Sequence, residues 1–466
     1  MAPQHQLKES WVADIEFVLS ECLRIHELVQ RIKPWELPKS DLAGTLPSPT
    51  GRGEILCGAE ASYRLHGLAT QALKQSDSSG TIEPDKVFQA LKRIVVQRFI
   101  KEQRTPDSAQ VERALAAAVK EAKRLRSDAV HLIPCRLMHA KDPDAFSVGP
   151  VTFHQRASFD KQMEPHYGAY LEGGDSPQQN EMGKLLLQQA RHYYEGFTWI
   201  AEVKVLNCDA EVSKERAYLA VTAALDCLHL LFGAYYTHLM MVGGLRLADD
   251  RRAHMHLDEK GALQVSCSSS MTSAVGFTEG WSEVLKREDA AFFLRGAGKA
   301  IEPLVNPALV RPLSMRFVDA AAWFGQAARE MSDAARIVKA TNALERLVIA
   351  GENGDISELV SQRGAAVCHD STRGEPFEDI AAKLKKAYRL RSKLVHGSLS
   401  PFAPEIKEHA PITMRLIEAA ICGGLGFFES QALFDPPCTN AQLANGFEHL
   451  VKSAKSNRAA PEAPRD

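Results

Sequence analysis

The chain predicts an α+β fold that is mostly α-helical. It has an N-terminal helical region over residues 1–128 and a central α+β unit with a small sheet over 129–312. A C-terminal helical bundle follows over 313–434, then a helix with a disordered tail over 435–466. Three observations predict this. Long segments at both ends repeat apolar residues at three- and four-residue steps, the period of an amphipathic helix. Between them lie short runs rich in β-branched residues and bounded by turn residues, the signature of strands. The C-terminal helical segments are joined by short polar or Gly/Pro links, which make neighbouring helices antiparallel.

In the first region the helical period runs through 11–32, 84–103 and 109–127. The segment KPWELPKSDLAGTLPSPTGRG (33–53) is rich in Pro, Gly and Ser and reads as a mobile loop. SDSSGTIEP (76–84) reads as a second break whose Ser and Asp residues supply a helix cap. After Arg126 the pattern changes. AVHLIPCRLMHA (129–140), FSVGPVTFH (146–154) and FTWIAEVKVLN (197–207) are strand candidates, and 261–278 holds one or two more. Helices over 181–197 and 213–240 separate them. The C-terminal helices are expected over 315–331, 333–351, 355–369, 377–397 and 404–434, and the tail 453–466 is polar and disordered.

Bulk properties narrow the class. Hydrophobic residues make up 45% of the 466 and charged residues 24%, so most of the chain can bury a core. Fifty-six basic and 58 acidic residues give a net charge of -2, which excludes a strongly basic nucleic-acid coat but not a local basic patch. Nine cysteines stand singly with no CxxC pair, which argues for reduced, mostly buried thiols. The first ten residues lack the apolar core of a signal peptide. The longest apolar run, 416–428, is too short to span a membrane. The expectation is a cytoplasmic protein with no membrane partner.

The segment that carries chemistry is FEDIAAKLKKAYRLRSKLVHGS. Its apolar stripe runs through Ile380, Leu384, Ala387, Tyr388, Leu394 and Val395, and the position seven after Leu384 is Arg391. A guanidinium there requires a carboxylate, a cleft or an anion, because burying it unpaired costs several kcal/mol. His396 follows just before Gly397. In an unbroken helix it stands about 140° around the axis from Arg391, whereas Ser392 shares its face. Arg391 and His396 therefore act together only if the helix ends or distorts, or if a second copy completes the site. Lys383, Lys385, Lys386, Arg389, Arg391 and Lys393 surround the pair with no acid between Ile380 and Pro404. A basic face, a fixed cation and a proton-transfer group suit a polyanion such as RNA.

YRLRSKLVHGS, preceded by AAWF (321–324) and ALERL (343–347), resembles the Apea-like branch of the HEPN superfamily over roughly 315–430. That superfamily's signature is Arg, four to six residues, then His near the end of a long helix, which Arg391 and His396 fit. Ser392 stands where many members have Asn, Asp or His. The resemblance implies a bundle of four to five helices that pairs into a homodimer. In active members it implies a metal-independent endoribonuclease, commonly of a bacterial toxin or antiviral kind. Arg391 would hold the scissile phosphate, His396 would act as general acid or base, Ser392 would orient phosphate or His396, and Glu345 would hold Arg391. Lys386, Arg389 and Lys393 would contact RNA. No cofactor and no metal are implied.

Other motifs read more plainly. His254, His256 and Asp258 alternate as metal ligands would, but no further ligand pair is near and the run lies in polar loop text. Cys368-His369-Asp370 reads as a loop after a helix, Trp323 and Phe324 as core anchors, and GENG (351–354) as a helix stop. The competing functional expectations are a non-catalytic dimerisation or interaction protein, and a ligand sensor built on the central α+β unit.

Overall fold

The computed structural model describes residues 4–32, 36–138, 140, 142–172, 177–243, 250–257, 263–270, 280–368, 375–432, 434 and 438–456. It is a mostly helical α+β protein with a small sheet, and it divides into two compact units. One comprises Met1–Ala129 with Val205–Glu215, the other Val130–Lys204 with Arg216–Asp466.

The first unit is built on helices α1 (Gln4–Arg31), α2 (Lys39–Leu42), α3 (Gly58–Lys74), α4 (Pro84–Val95) and α5 (Ser108–Lys123). Their apolar stripes, among them Ile15, Val18, Leu65, Leu68, Val87, Leu91, Val111 and Ala118, form one core. The Pro/Gly/Ser-rich segment is more ordered than its composition suggests. It contains α2 and the first strand and turn of a hairpin in which β1 (Thr45–Pro47) pairs with β2 (Glu54–Leu56). Gly51 and Gly53, both at φ +77°, make the turn, and the buried Leu46 anchors it. Arg24 adds a 2.9 Å ion pair to Asp41 of α2. The Ser/Asp run before α4 does not cap it: Glu83 occupies the cap position without a side-chain bond, Pro84 starts the helix, and the Asp209 carboxylate accepts the Glu83 N–H.

The second unit holds most of a five-stranded sheet of order β4-β5-β6-β3-β7, from β3 (Ser127–Arg136), β4 (Ala145–Val148), β5 (Val151–Gln155), β6 (Trp199–Cys208) and β7 (Met241–Val242). The single strand expected over 146–154 is a hairpin. Gly149, at φ +57°, turns the chain, and a Cβ there would lie 2.3 Å from the Gly298 backbone. Helices α6 (Arg156–Glu172), which periodicity did not announce, and α7 (Pro177–Glu195) stand between β5 and β6. After β6 comes α8 (Ala210–Phe232), which stops at Gly233, φ +89°, before the short α9 (Ala234–Thr237). His254 to Leu257, read above as part of a polar loop, lie on strand β8 (Asp250–Leu257), paired antiparallel with β9 (Leu263–Ser270). The pairing overrides low intrinsic strand propensity. Asp258 lies outside the described residues.

The C-terminal helices are α10 (Glu288–Val305), α11 (Pro312–Ala328), α12 (Asp333–Val348), α13 (Ile356–Cys368), α14 (Phe377–Val395), α15 (Pro404–Ser430) and α16 (Asn440–Ser456). They pack as a bundle in which α12 and α15 are central. Gly423 permits a close approach, since a Cβ there would sit 1.8 Å from the Val367 carbonyl oxygen. The apolar run 416–428, read above as too short to span a membrane, lies within the 27 residues of α15. Among the described helices α15 alone is long and apolar enough to cross one. Its buried face, including Ile406, Leu416, Ile417, Ile421, Leu425 and Phe428, is core of the bundle. His369, Asp370 and residues 457–466 lie outside the described residues.

Candidate anion-binding groove

Helix α14 begins after Pro376 with Glu378 and Asp379 in its first turn, where acids suit the helix dipole. It ends in a Schellman motif: Ser398 N–H donates to Lys393 O at 2.9 Å, Gly397 N–H donates to Leu394 O at 3.2 Å, and Gly397 takes φ +70°. Its buried stripe is Phe377, Ile380, Ala381, Leu384, Ala387 and Leu390. Leu390, not Val395, fills the core near the helix end; Val395 is 56% exposed. Arg391 stands at the edge of the stripe with its side chain 24% exposed.

The guanidinium of Arg391 is held but not saturated. Its Nε and Nη2 donate to the single oxygen Oδ1 of Asn342 at 3.2 and 3.1 Å. Glu345 Oε2 lies 3.7 Å from Nη2, an ion-pair distance too long for a hydrogen bond, and that buried oxygen makes no hydrogen bond. The Tyr388 ring lies 5.6 Å from the guanidinium carbon. Burial, and then the Glu345 carboxylate, push the Tyr388 hydroxyl above its ordinary pKa. Asn342 and Glu345, three apart on α12, share one face toward α14. Nη1 of Arg391 has no partner among the described residues.

Around Arg391 opens a groove of about 490 Å³, lined by Arg316, Trp323, Asn342, Glu345, Arg346, Ile349, Gly351 and Asn440 besides Arg391 itself. Arg316 is nearly buried. It donates from Nη1 to the carbonyls of Arg346, at 3.0 Å, and Ile349, while Arg363 donates to Val348 O at 2.8 Å. The two close the C-terminal end of α12, where carbonyls lack helical partners. Burial lowers the pKa of Arg316. Arg346 is more exposed and pairs with Asp319 at 2.7 Å. Trp323 is not the core anchor expected from AAWF. Adjacent helical residues point about 100° apart, so Phe324 takes the core and Trp323, 38% exposed, turns to the groove.

Of the residues expected at the site, Arg391 and Glu345 come together. His396 does not line the groove. It is the C-cap of α14, exposed, with its N–H on Ser392 O at 3.0 Å and no partner for its ring among the described residues. The helix runs undistorted to Val395, so the angular separation from Arg391 stands. Ser392 is half-buried outside the groove. Lys386, Arg389 and Lys393 are exposed and unpaired among the described residues, whereas Lys383 pairs with Glu375 and Lys385 with Glu358. Sequence reasoning missed Asn342, Arg316, Arg346 and the orientation of Trp323. Two signals were present: Asn342, Glu345 and Arg346 fall on one helix face, and two adjacent aromatics on one helix cannot both face its core.

A second polar centre was also missed, although Asp226 and His229 interrupt the otherwise apolar run AALDCLHLLF of α8. Both are fully buried. Arg329 Nη1 donates to Asp226 Oδ1 and to His229 Nε2, each at 3.0 Å. His229 Nδ1 meets Thr237 Oγ1 at 2.8 Å, and that hydroxyl donates to Gly233 O at 2.8 Å. The chain of donors requires a neutral imidazole carrying its proton on Nδ1. Burial pushes Asp226 up to about 7 against the pull of Arg329, and burial together with Arg329 pushes His229 down to about 3. Among the described residues no group of three or more His, Cys, Asp or Glu is placed to hold a metal ion. In comparisons with family models, curated proteins and solved structures the chain matches none, so local geometry carries the functional argument.

Proposed function

We propose that this chain is a HEPN-type effector of the bacterial defence or toxin kind, whose C-terminal bundle binds single-stranded RNA and cleaves it without metal as a cytoplasmic homodimer. One observation carries the reading: Arg391 presents an unsaturated guanidinium in an open groove that Glu345 and two further arginines line, Arg346 paired with Asp319 and Arg316 bonded to backbone carbonyls. Arg391 holds the phosphate and stabilises its growing charge, and Glu345 with Asn342 holds Arg391. His396 of a second copy takes the proton of the ribose 2′-hydroxyl as its oxygen attacks phosphorus. The 5′-oxygen leaves with a proton taken from water, and a 2′,3′-cyclic phosphate remains. The exposed Lys386, Arg389 and Lys393 contact the strand on either side. Support for the second copy comes from the helical separation of Arg391 and His396, and from the exposed apolar side chains Val395, next to His396, and Phe402, six residues on.

A second reading, RNA binding without cleavage, is favoured by the place of His396 outside the groove of its own chain. One assay separates the two. Wild type in chelator should produce 2′,3′-cyclic ends, and Arg391→Ala and His396→Ala should each be inactive. Mixed and allowed to exchange, the two variants should regain about a quarter of wild-type activity, since half the dimers then hold one intact composite site. RNA bound but uncut by wild type leaves the binding reading; RNA neither bound nor cut contradicts both.

A further inference from the structure

Four tryptophans lie in the described residues, and three are treated alike. Trp11, Trp199 and Trp281 are buried to 7% exposure or less, and their indole N–H groups donate to Gln71, Met138 O and Asp142 O. Trp323 breaks this pattern twice. It is 38% exposed, and its indole N–H has no protein partner among the described residues. No other aromatic ring stacks on it there. An indole in that state departs from the buried, hydrogen-bonded habit of tryptophan and leaves part of its face open to a ligand.

The surroundings name the user. Trp323 shares its groove with Arg391, Arg346 and the amides of Asn342 and Asn440. A flat apolar face beside guanidinium groups is the combination that takes a base on one side and its phosphate on the other. The volume, about 490 Å³, lies in the range of small-molecule sites and admits one nucleotide rather than a duplex. We infer that Trp323 is the base-stacking platform of a one-nucleotide subsite, on which an unpaired base of the RNA lies while Arg391 and Arg346 hold the adjoining phosphates. This rests on the RNA reading above and adds to it a recognition rule: the strand must offer an unstacked base, so single strands and loops are bound and continuous duplex is not. Asp319 pairs with Arg346 at 2.7 Å and fixes one side of that guanidinium.

The test is a set of anisotropy titrations in chelator, with three labelled probes of about ten nucleotides each: oligouridine, whose bases stack little on one another, an abasic ribose-phosphate strand, and a duplex. Trp323→Ala should weaken oligouridine binding about tenfold, leave abasic binding unchanged and leave the melting temperature unchanged. Trp323→Phe, which keeps a π face, should stay within about twofold of wild type. Wild type should prefer oligouridine to duplex. The inference is overturned if Trp323→Ala binds oligouridine like wild type, or loses the abasic strand equally. If oligouridine binding falls with Arg391→Ala but ignores Trp323, the stacking subsite fails and the RNA reading survives. If wild type binds no RNA, both fail.

Discussion

The bundle unit contains two polar centres built on an arginine, and they end differently. At Arg329 the partners are Asp226 and His229, both fully buried, and the hydrogen bonds continue through Thr237 to the Gly233 carbonyl. At Arg391 the partners are the one oxygen of Asn342 and a carboxylate 3.7 Å away, and the guanidinium faces a groove. The first arrangement is closed and serves the fold, tying α8 to the end of α11. The second opens onto a groove, where the proposed function gives it a ligand. Burial of the partners separates the two centres, not residue type and not exposure of the arginine side chain, which is 23% for Arg329 and 24% for Arg391.

If that contrast is right, the largest effect on stability belongs to the closed centre. Arg329→Met leaves Asp226 buried without its cation, and should cost about 3–5 kcal/mol with a matching fall in the thermal midpoint. A midpoint unchanged from wild type would remove the distinction. The pH dependence sharpens it further. Asp226 is raised from 3.8 to about 7, so its contribution is fully present below its unfolded value and is lost as pH rises through 7. His229 is lowered from 6.5 to about 3, so its contribution is present above 6.5 and is lost as pH falls toward 3. The two oppose each other over the interval they share. Subtracting the unfolding free energy of Asp226→Asn from that of wild type isolates the carboxyl. That difference should fall steadily between about pH 4 and pH 7, and a flat difference would mean that Asp226 titrates as an ordinary aspartate. The smallest effect on stability belongs to the open centre, where Arg391→Ala should cost about 1 kcal/mol or less.

Much of this was legible beforehand because periodicity reports burial. The five helices from α11 to α15 follow their apolar spacing closely, and the guanidinium of Arg391 stood out against it. Val395 misled because a residue at a helix end can satisfy the period and still face water once Gly397 turns the chain away. Segment 33–53 misled because composition marks turns but not the hairpin that two turn glycines can close. The groove was illegible for a different reason. Arg316, Trp323, Asn342, Arg346, Arg391 and Asn440 come from four helices spread over more than a hundred residues, and only packing assembles them. The Asp226–His229–Arg329 network is likewise a product of α8 meeting α11.

The most direct check on the central claim pairs two readouts on one variant: the thermal midpoint and the affinity for single-stranded RNA, in chelator, of Arg391→Ala beside wild type. An open, ligand-serving arginine predicts a midpoint within about 2 °C of wild type, RNA binding weakened about tenfold or more, and a shallower dependence of affinity on salt. A variant that melts well below wild type while still binding RNA, or that matches wild type in both, would show that Arg391 belongs to the scaffold or to nothing, and the contrast with Arg329 would be void.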